Sequence, residues 1–260
     1  MLTGILCLLF GILGGVISGL TVIGGGMVVL PALAWIFHLE HQPVLASSLV
    51  ATSVSTLAIL AFSSKIAQGH SLKKILSRRE QGLVIACGLV GILIPHFASL
   101  LNEHHLQQSY MIVLLTGISL QLARSLGVGH KREPPFWTVI PFACLCVLVG
   151  GTLGIGGSIL FLPILQILGF DSQTSVDLSS TVTLVGLMTG ALSFIFFAPI
   201  GITQGCWING QIMTLLLVGG IPAAVAARHL SRALPPEYHQ RALLLALVVV
   251  ALFSLITRTA

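Results

Sequence analysis

A Gly-rich break interrupts apolar sequence twice in this chain, and the two breaks constrain everything else. Ile23-Gly24-Gly25 leads to Leu30-Pro31, and 132 residues later Ile155-Gly156-Gly157 leads to Leu162-Pro163. Held at that offset, Gly19 falls on Gly151, Val44 on Val176, Ser47-Ser48 on Ser179-Ser180, Phe62 on Phe194, Gly69 on Gly201, Gly88 on Gly220 and Ser99 on Ser231. The chain is therefore two copies of one unit, the first over residues 1–127 and the second over 136–260, together one membrane domain. In a membrane protein, paired Gly- or Pro-interrupted apolar segments in corresponding places of two halves are the best sequence pointer to a transport site.

The membrane assignment rests on composition. Of the 260 residues 55% are hydrophobic and 7% charged, against about 25% charged in an ordinary soluble domain. Residues 1–37, 82–102, 134–170, 178–227 and 242–257 contain no Asp, Glu, Lys or Arg, and about 20 apolar residues suffice for a helix to cross the hydrocarbon. The start has the length of a signal peptide. It lacks a basic n-region, however, and runs on into further apolar sequence, so a retained membrane segment is expected. Cys7, Cys87, Cys144, Cys146 and Cys206 sit mostly inside apolar runs and read as small hydrophobes in helix packing.

The pattern predicts helices over 3–20, 27–37, 44–63, 82–101, 109–126, 136–153, 159–168, 176–199, 211–228 and 241–255. The fold class expected is an all-α polytopic membrane protein with about eight to ten membrane segments. Segments 27–37 and 159–168 are too short to cross upright at 1.5 Å per residue and read as half-helices. Lys65, Lys73, Lys74, Arg78 and Arg79 place one loop in the cytoplasm, as do Arg124, Lys131 and Arg132 for a second, and Arg228, Arg232 and Arg241 for a third. The basic loop 65–80 corresponds at the offset to the uncharged loop 197–212, on the opposite side. The halves are accordingly expected to be an inverted-topology repeat. Each Gly-rich pair of segments then reads either as a hairpin dipping in from one face or as two tilted crossings.

Glycines at the tips permit left-handed backbone and close approach, and the first N–H groups of the following half-helix have no intrahelical partner. A small anion at such a tip satisfies those donors and meets the positive end of the helix dipole. Gly24, Gly25 and Gly26 form one candidate cradle, and Gly156, Gly157 and Ser158 the other. Ser47 and Ser48, with Ser179 and Ser180, can donate hydrogen bonds to oxyanion oxygens; alternatively they bond back to their own helices or serve close packing. Thr52, Ser53, Thr181 and Thr183 extend the same hydroxyl-rich starts. Asp177, an acid in apolar surroundings, reads either as a proton-coupling group or as an N-terminal cap of the helix expected from residue 176. His96, next to Pro95, reads as a titrating group or a helix-end side chain bonded to backbone. No metal site, cofactor or nucleic-acid surface is expected: His38-Leu39-Glu40-His41 lacks a zinc-protease pattern, and the excess positive charge follows the cytoplasmic loops.

These residues resemble the TauE/SafE sulfite exporters and related anion permeases. The resemblance runs through Gly14-Gly15, Gly19, Ile23 to Gly26, Leu30-Pro31 and 44–52, and again through Gly150-Gly151, Gly154 to Gly157, Leu162-Pro163 and 176–183. It implies a multi-pass carrier of a bacterial-type inner membrane, not an enzyme, that moves sulfite or a small organosulfur anion such as sulfoacetate, coupled to a proton gradient. The partners expected are the lipid bilayer, a small anion and a proton, and the sequence leaves a homo-oligomer open. A carrier or channel for another small anion, or a non-transporting membrane scaffold, are the other readings.

Overall fold

Apolar sequence without internal helix breakers has one local solution in a bilayer, because every backbone N–H and C=O must be satisfied within its own segment. The computed structural model describes residues 2–21, 25–33, 41–66, 78–126, 135–196, 210–232, 244–245 and 247–252, and among them there is no strand. The described helices are α1 (Leu2–Thr21), α2 (Gly26–Pro31), α3 (His41–Ile66), α4 (Arg78–Gly91), α5 (Ile94–Leu100), α6 (Glu103–Ser125), α7 (Val139–Thr152), α8 (Ser158–Ile167), α9 (Ser172–Phe196) and α10 (Gly210–Arg232). A 3₁₀ turn, Phe136–Thr138, leads into α7. Gln81–Leu100, Thr174–Phe194 and Gly210–Leu230 are long and apolar enough to cross a membrane. Of the expected segments 27–37 and 241–255, residues 34–37, 241–243, 246 and 253–255 lie outside the described set.

Several boundaries differ from the sequence reading by a few residues, and three of the differences have a clear local reason. The expected helix 82–101 is broken at Ile92 and Leu93, and Pro95 opens α5 in its first turn, where its missing N–H has no bond to lose. Helix α8 ends where Gly169 adopts φ 101° and the Phe170 N–H reaches back to the Leu165 carbonyl at 3.1 Å. Helix α9 then starts at Ser172, four residues earlier than expected. The Asp171 carboxylate accepts the Thr174 N–H at 3.0 Å and caps it. Asp177 is thus the sixth residue of α9, and the capping role belongs to Asp171.

The offset of 132 equates elements as well as residues. It carries the start of α2 onto that of α8, the start of α4 onto that of α10, and the end of α5 onto the end of α10. Packing partners follow. Helix α3 lies against α9, while α4 of the first half packs on α9 of the second and, as its match, α10 of the second half packs on α3 of the first. The centre is thus the α3–α9 pair, flanked by one long helix from each half.

The outer surface is apolar. Ile85, Leu89, Phe97 and Leu100 on α4–α5, Leu115 and Leu122 on α6, and Met188, Leu192 and Phe196 on α9 are all exposed. Soluble proteins rarely leave contiguous apolar patches of this kind open to water, whereas acyl chains satisfy them.

Close packing between helices has a different source, since lipid tails are as apolar as Leu and cannot drive it. A stripe of Gly11, Gly15 and Gly19 on α1 meets α10 backbone to backbone: a Cβ on Gly11 would lie 2.9 Å from the Leu216 carbonyl oxygen, and one on Gly15 2.9 Å from the Gly220 Cα. Replacing Gly15 by Ala forces these helices apart. We expect a loss of about 1–3 kcal/mol, read as a lower melting temperature of the detergent-purified protein. Gly82→Ala in α4, where a Cβ meets nothing within 4 Å, is expected to leave stability unchanged or raise it by up to about 1 kcal/mol.

Candidate functional site

Each Gly-rich break folds its short helix back along the helix before it. A Cβ on Gly25 would lie 2.5 Å from the Gly14 carbonyl oxygen, and one on Gly157 would lie 2.8 Å from the Cys146 carbonyl oxygen. Cys146 stands 132 residues after Gly14, so the two halves use the same backbone-to-backbone contact. The second turn is built from the end of α7. The Gly154 N–H donates to Gly151 at 3.0 Å, and the Ile155 and Gly156 N–H groups both donate to the Gly150 carbonyl at 2.9 and 3.0 Å. Gly154 and Gly156 hold φ of 67° and 88°, backbone that L side chains rarely adopt. In the first half Gly24 lies outside the described residues.

The two tips meet. A Cβ on Gly26 would fall onto the Gly154 carbonyl oxygen and lie 3.3 Å from the Thr52 Oγ1, and a Cβ on Gly154 would lie 2.7 Å from both Leu30 Cδ1 and Leu45 Cδ1 and 3.4 Å from the Ser48 Oγ. Gly26, Ser48 and Thr52 of one half are therefore in one place with Gly154 of the other. Behind the first tip, the Tyr110 hydroxyl on α6 donates to the Met27 carbonyl and holds the start of α2. This anchor was not read from the sequence; the signal for it is a phenol within an apolar helix, which needs a partner when buried.

The hydroxyls divide into two groups. Ser53, Thr56, Ser180 and Thr181 bond back to the carbonyls of Leu49, Thr52, Val176 and Asp177 at 2.7, 2.8, 2.5 and 2.9 Å, the packing role that such residues often have in helices. By contrast Ser48, Ser158, Ser179 and Thr183 are 1–3% exposed, and their side-chain oxygens have no hydrogen-bond partner. Ser158 opens α8, where the first N–H groups of a ten-residue helix point toward the tip, and Ser179 and Thr183 lie one turn apart on α9, which packs against α8. Ser47 is buried on α3. An unsatisfied buried hydroxyl costs about 1–3 kcal/mol, so these four are a cost to the fold, and Ser48 bears it beside the contact of the two tips.

Asp177 stands apart. It is exposed, on the face of α9 that carries Thr174, Met188 and Leu192, whereas Ser179, Ser180 and Thr183 are buried. His96 is likewise exposed, on α5, its ring edge-on to Phe97. The described residues contain no cluster of three or more His, Cys, Asp or Glu able to hold a metal ion.

A family model described as sulfite exporter TauE/SafE matches residues 7–254. The chain belongs to the TauE/SafE family. A protein of Bacillus subtilis called "Probable membrane transporter protein YunE" is 23% identical, covering 80% of this chain and 86% of its own length. A "Probable membrane transporter protein" of Haemophilus influenzae is 26% identical, covering 74% and 73%. No solved structure matches the chain significantly. Membership of TauE/SafE, together with the apolar exterior, makes the protein a membrane transporter and not an enzyme.

If the unpartnered hydroxyls are kept for a ligand, removing them takes an uncompensated burial cost out of the fold. Ser48→Ala and Ser179→Ala are expected to melt at the parent temperature or above it, whereas Tyr110→Phe, which strips the Met27 carbonyl of its donor, is expected to lose about 1–3 kcal/mol. Differential scanning fluorimetry in detergent distinguishes the two directions.

Proposed function

We propose that the protein is a proton-coupled secondary transporter of a small anion, a sulfur oxoanion such as sulfite or an organosulfonate, working by alternating access around the two Gly-rich tips in a bacterial-type inner membrane. The observation that carries this reading is the meeting of Gly26 and Gly154 beside the unpartnered Ser48 hydroxyl. Neutral donors, helix-start N–H groups without intrahelical partners and the positive end of the α8 dipole together suit an oxyanion. Gly25, Gly26, Gly156, Gly157 and Ser158 supply backbone, and Ser48, Ser179 and Thr183 supply hydroxyls. Gly24, Ser47 and Ser180 belong to the same segments.

The inverted repeat gives this site its two accesses. Along α1 and α10 the paired positions rise together, Gly11 with Leu216, Gly15 with Gly220 and Gly19 with Ala224, so these helices run parallel. Arg228 and Arg232 put the end of α10 in the cytoplasm. Helix α1 then enters from outside and α2 returns toward that side, while the matching hairpin of α7 and α8 enters from the cytoplasm. Two related hairpins meeting from opposite faces can exchange roles with little change in energy, which is what alternating access needs.

Two measurements test the proposal. Cysteines placed in loop 65–80 are expected to react with a membrane-impermeant reagent only from the cytoplasmic side, and those in loop 201–210 only from outside; labelling of both loops from one face ends the inverted repeat. In proteoliposomes with an imposed pH gradient, labelled sulfite or methanesulfonate is expected to cross at a rate that Gly157→Val reduces tenfold or more while the variant still inserts. Equal flux with and without protein for sulfite, methanesulfonate, thiosulfate, sulfoacetate and taurine would contradict it.

A further inference from the structure

The interior of this protein is polar without being charged. Among the described residues, every fully buried polar side chain apart from the Tyr110 phenol is Ser, Thr or Gln. Asp171 and Asp177 are exposed, and Arg124 and Arg228 are half-buried near the ends of α6 and α10. Arg124 stands fourteen residues beyond Tyr110, about 21 Å along its helix, and Arg228 eight residues beyond Gly220, about 12 Å. The other titratable groups on the elements around the tips are Cys7 on α1, His41 and Lys65 at the two ends of α3, Arg78, Arg79 and Glu80 at the start of α4 with Cys87 further along it, His96 on α5, Glu103, His104 and His105 at the start of α6 with Tyr110 further along it, Cys144 and Cys146 on α7, and His229 and Arg232 at the end of α10. Of these, the Tyr110 hydroxyl is directed at the Met27 carbonyl, and His96 is exposed. At the meeting point of the tips the structure places backbone, the hydroxyls of Ser48 and Thr52, and the apolar ends of Leu30 and Leu45, none of them charged.

Neutral donors and a helix dipole can hold one negative charge; two are a different matter. The cost of moving an ion from water into a low-dielectric site rises with the square of its charge, so a dianion pays about four times what a monoanion of similar size pays. The α8 terminus offers the equivalent of about half a positive charge, and no buried cation among the described residues adds to it. A hydroxyl also differs from an ammonium or guanidinium group in that it accepts as well as donates. The free oxygens of Ser48, Ser158, Ser179 and Thr183 can therefore accept a bond from an acidic O–H on the substrate.

We propose that the site admits oxyanions as monoanions and excludes dianions, and that the proton moving with a titrating substrate such as sulfite is carried on the substrate itself rather than on a side chain. This rests on the anion-transport reading above. It makes pH dependence a property of the substrate's own ionisation. As pH rises through the second ionisation of sulfite, the transportable species disappears; a sulfonate with no second acidic group, such as methanesulfonate, is singly charged throughout and keeps its rate. Sulfate, doubly charged throughout, is rejected although it is nearly the same size and shape.

The test uses the full-length protein in proteoliposomes, with the same pH on both sides and total anion held constant. Sulfite flux is expected to follow the monoanion fraction, falling about tenfold per pH unit once most of the sulfite is doubly charged. Methanesulfonate flux is expected to stay flat across the same range, and sulfate flux to stay at the protein-free background. Asp177→Asn is expected to leave the sulfite slope unchanged. Sulfate carried alongside methanesulfonate, methanesulfonate flux falling with the sulfite slope, or loss of that slope in Asp177→Asn would each overturn the inference while leaving an anion transporter in place. Background flux for all three anions would overturn both readings together.

Discussion

The contact between Gly26 and Gly154 is the constraint on which the rest of the molecule depends. The tips come so close that a single Cβ on Gly26 would occupy the position of the Gly154 carbonyl oxygen, and nothing larger than hydrogen fits. For backbone to approach backbone at that point, each short helix must fold back against the helix before it, and this in turn requires Gly25 against Gly14 and Gly157 against Cys146. The hairpins need walls, which α3 and α9 provide, and those two helices bring the hydroxyls with them. One steric requirement thus orders the glycines, the hairpins and the polar interior.

That interior is held at a cost. Four buried hydroxyls lack protein partners, while Ser53, Thr56, Ser180 and Thr181 satisfy themselves on their own helices. The difference between the two groups is position, not chemistry. A back-bonded serine is finished, whereas Ser48, beside the Gly154 turn, remains able to donate to whatever enters. A transporter must bind its substrate without trapping it, and uncharged donors provide an interaction strong enough to replace water and weak enough to release.

The sequence carried much of this and missed some of it, for physical reasons. The duplicated glycines, the half-helices and the hydroxyl-rich starts of α3 and α9 were legible because composition and spacing are one-dimensional signals. The break at Ile92 and Leu93 was missed because Pro95 sits in a run whose hydropathy never falters. Asp177 was misplaced because an apolar pattern starting at Val176 hides the earlier cap at Asp171, which lies in polar sequence ahead of it. Which serines bond back and which stay free was not legible at all: Ser47-Ser48 and Ser179-Ser180 are identical dipeptides, and only the packed structure shows that Ser48 in one half and Ser179 in the other have no partner. Tyr110 escaped because its partner, the Met27 carbonyl, lies 83 residues away.

The central claim is that an anion sits beside the meeting point of the two tips, at the Ser48 hydroxyl, and density for the anion itself tests it most directly. Selenite, an electron-dense analogue of sulfite, can be located by anomalous scattering in crystals of the protein grown with and without it. The account predicts one selenium peak within hydrogen-bond reach of the Ser48 hydroxyl, beside the contact between the Gly26 and Gly154 turns. Selenium found only at the helix ends near Arg124 or Arg228, with none near Ser48, would contradict it.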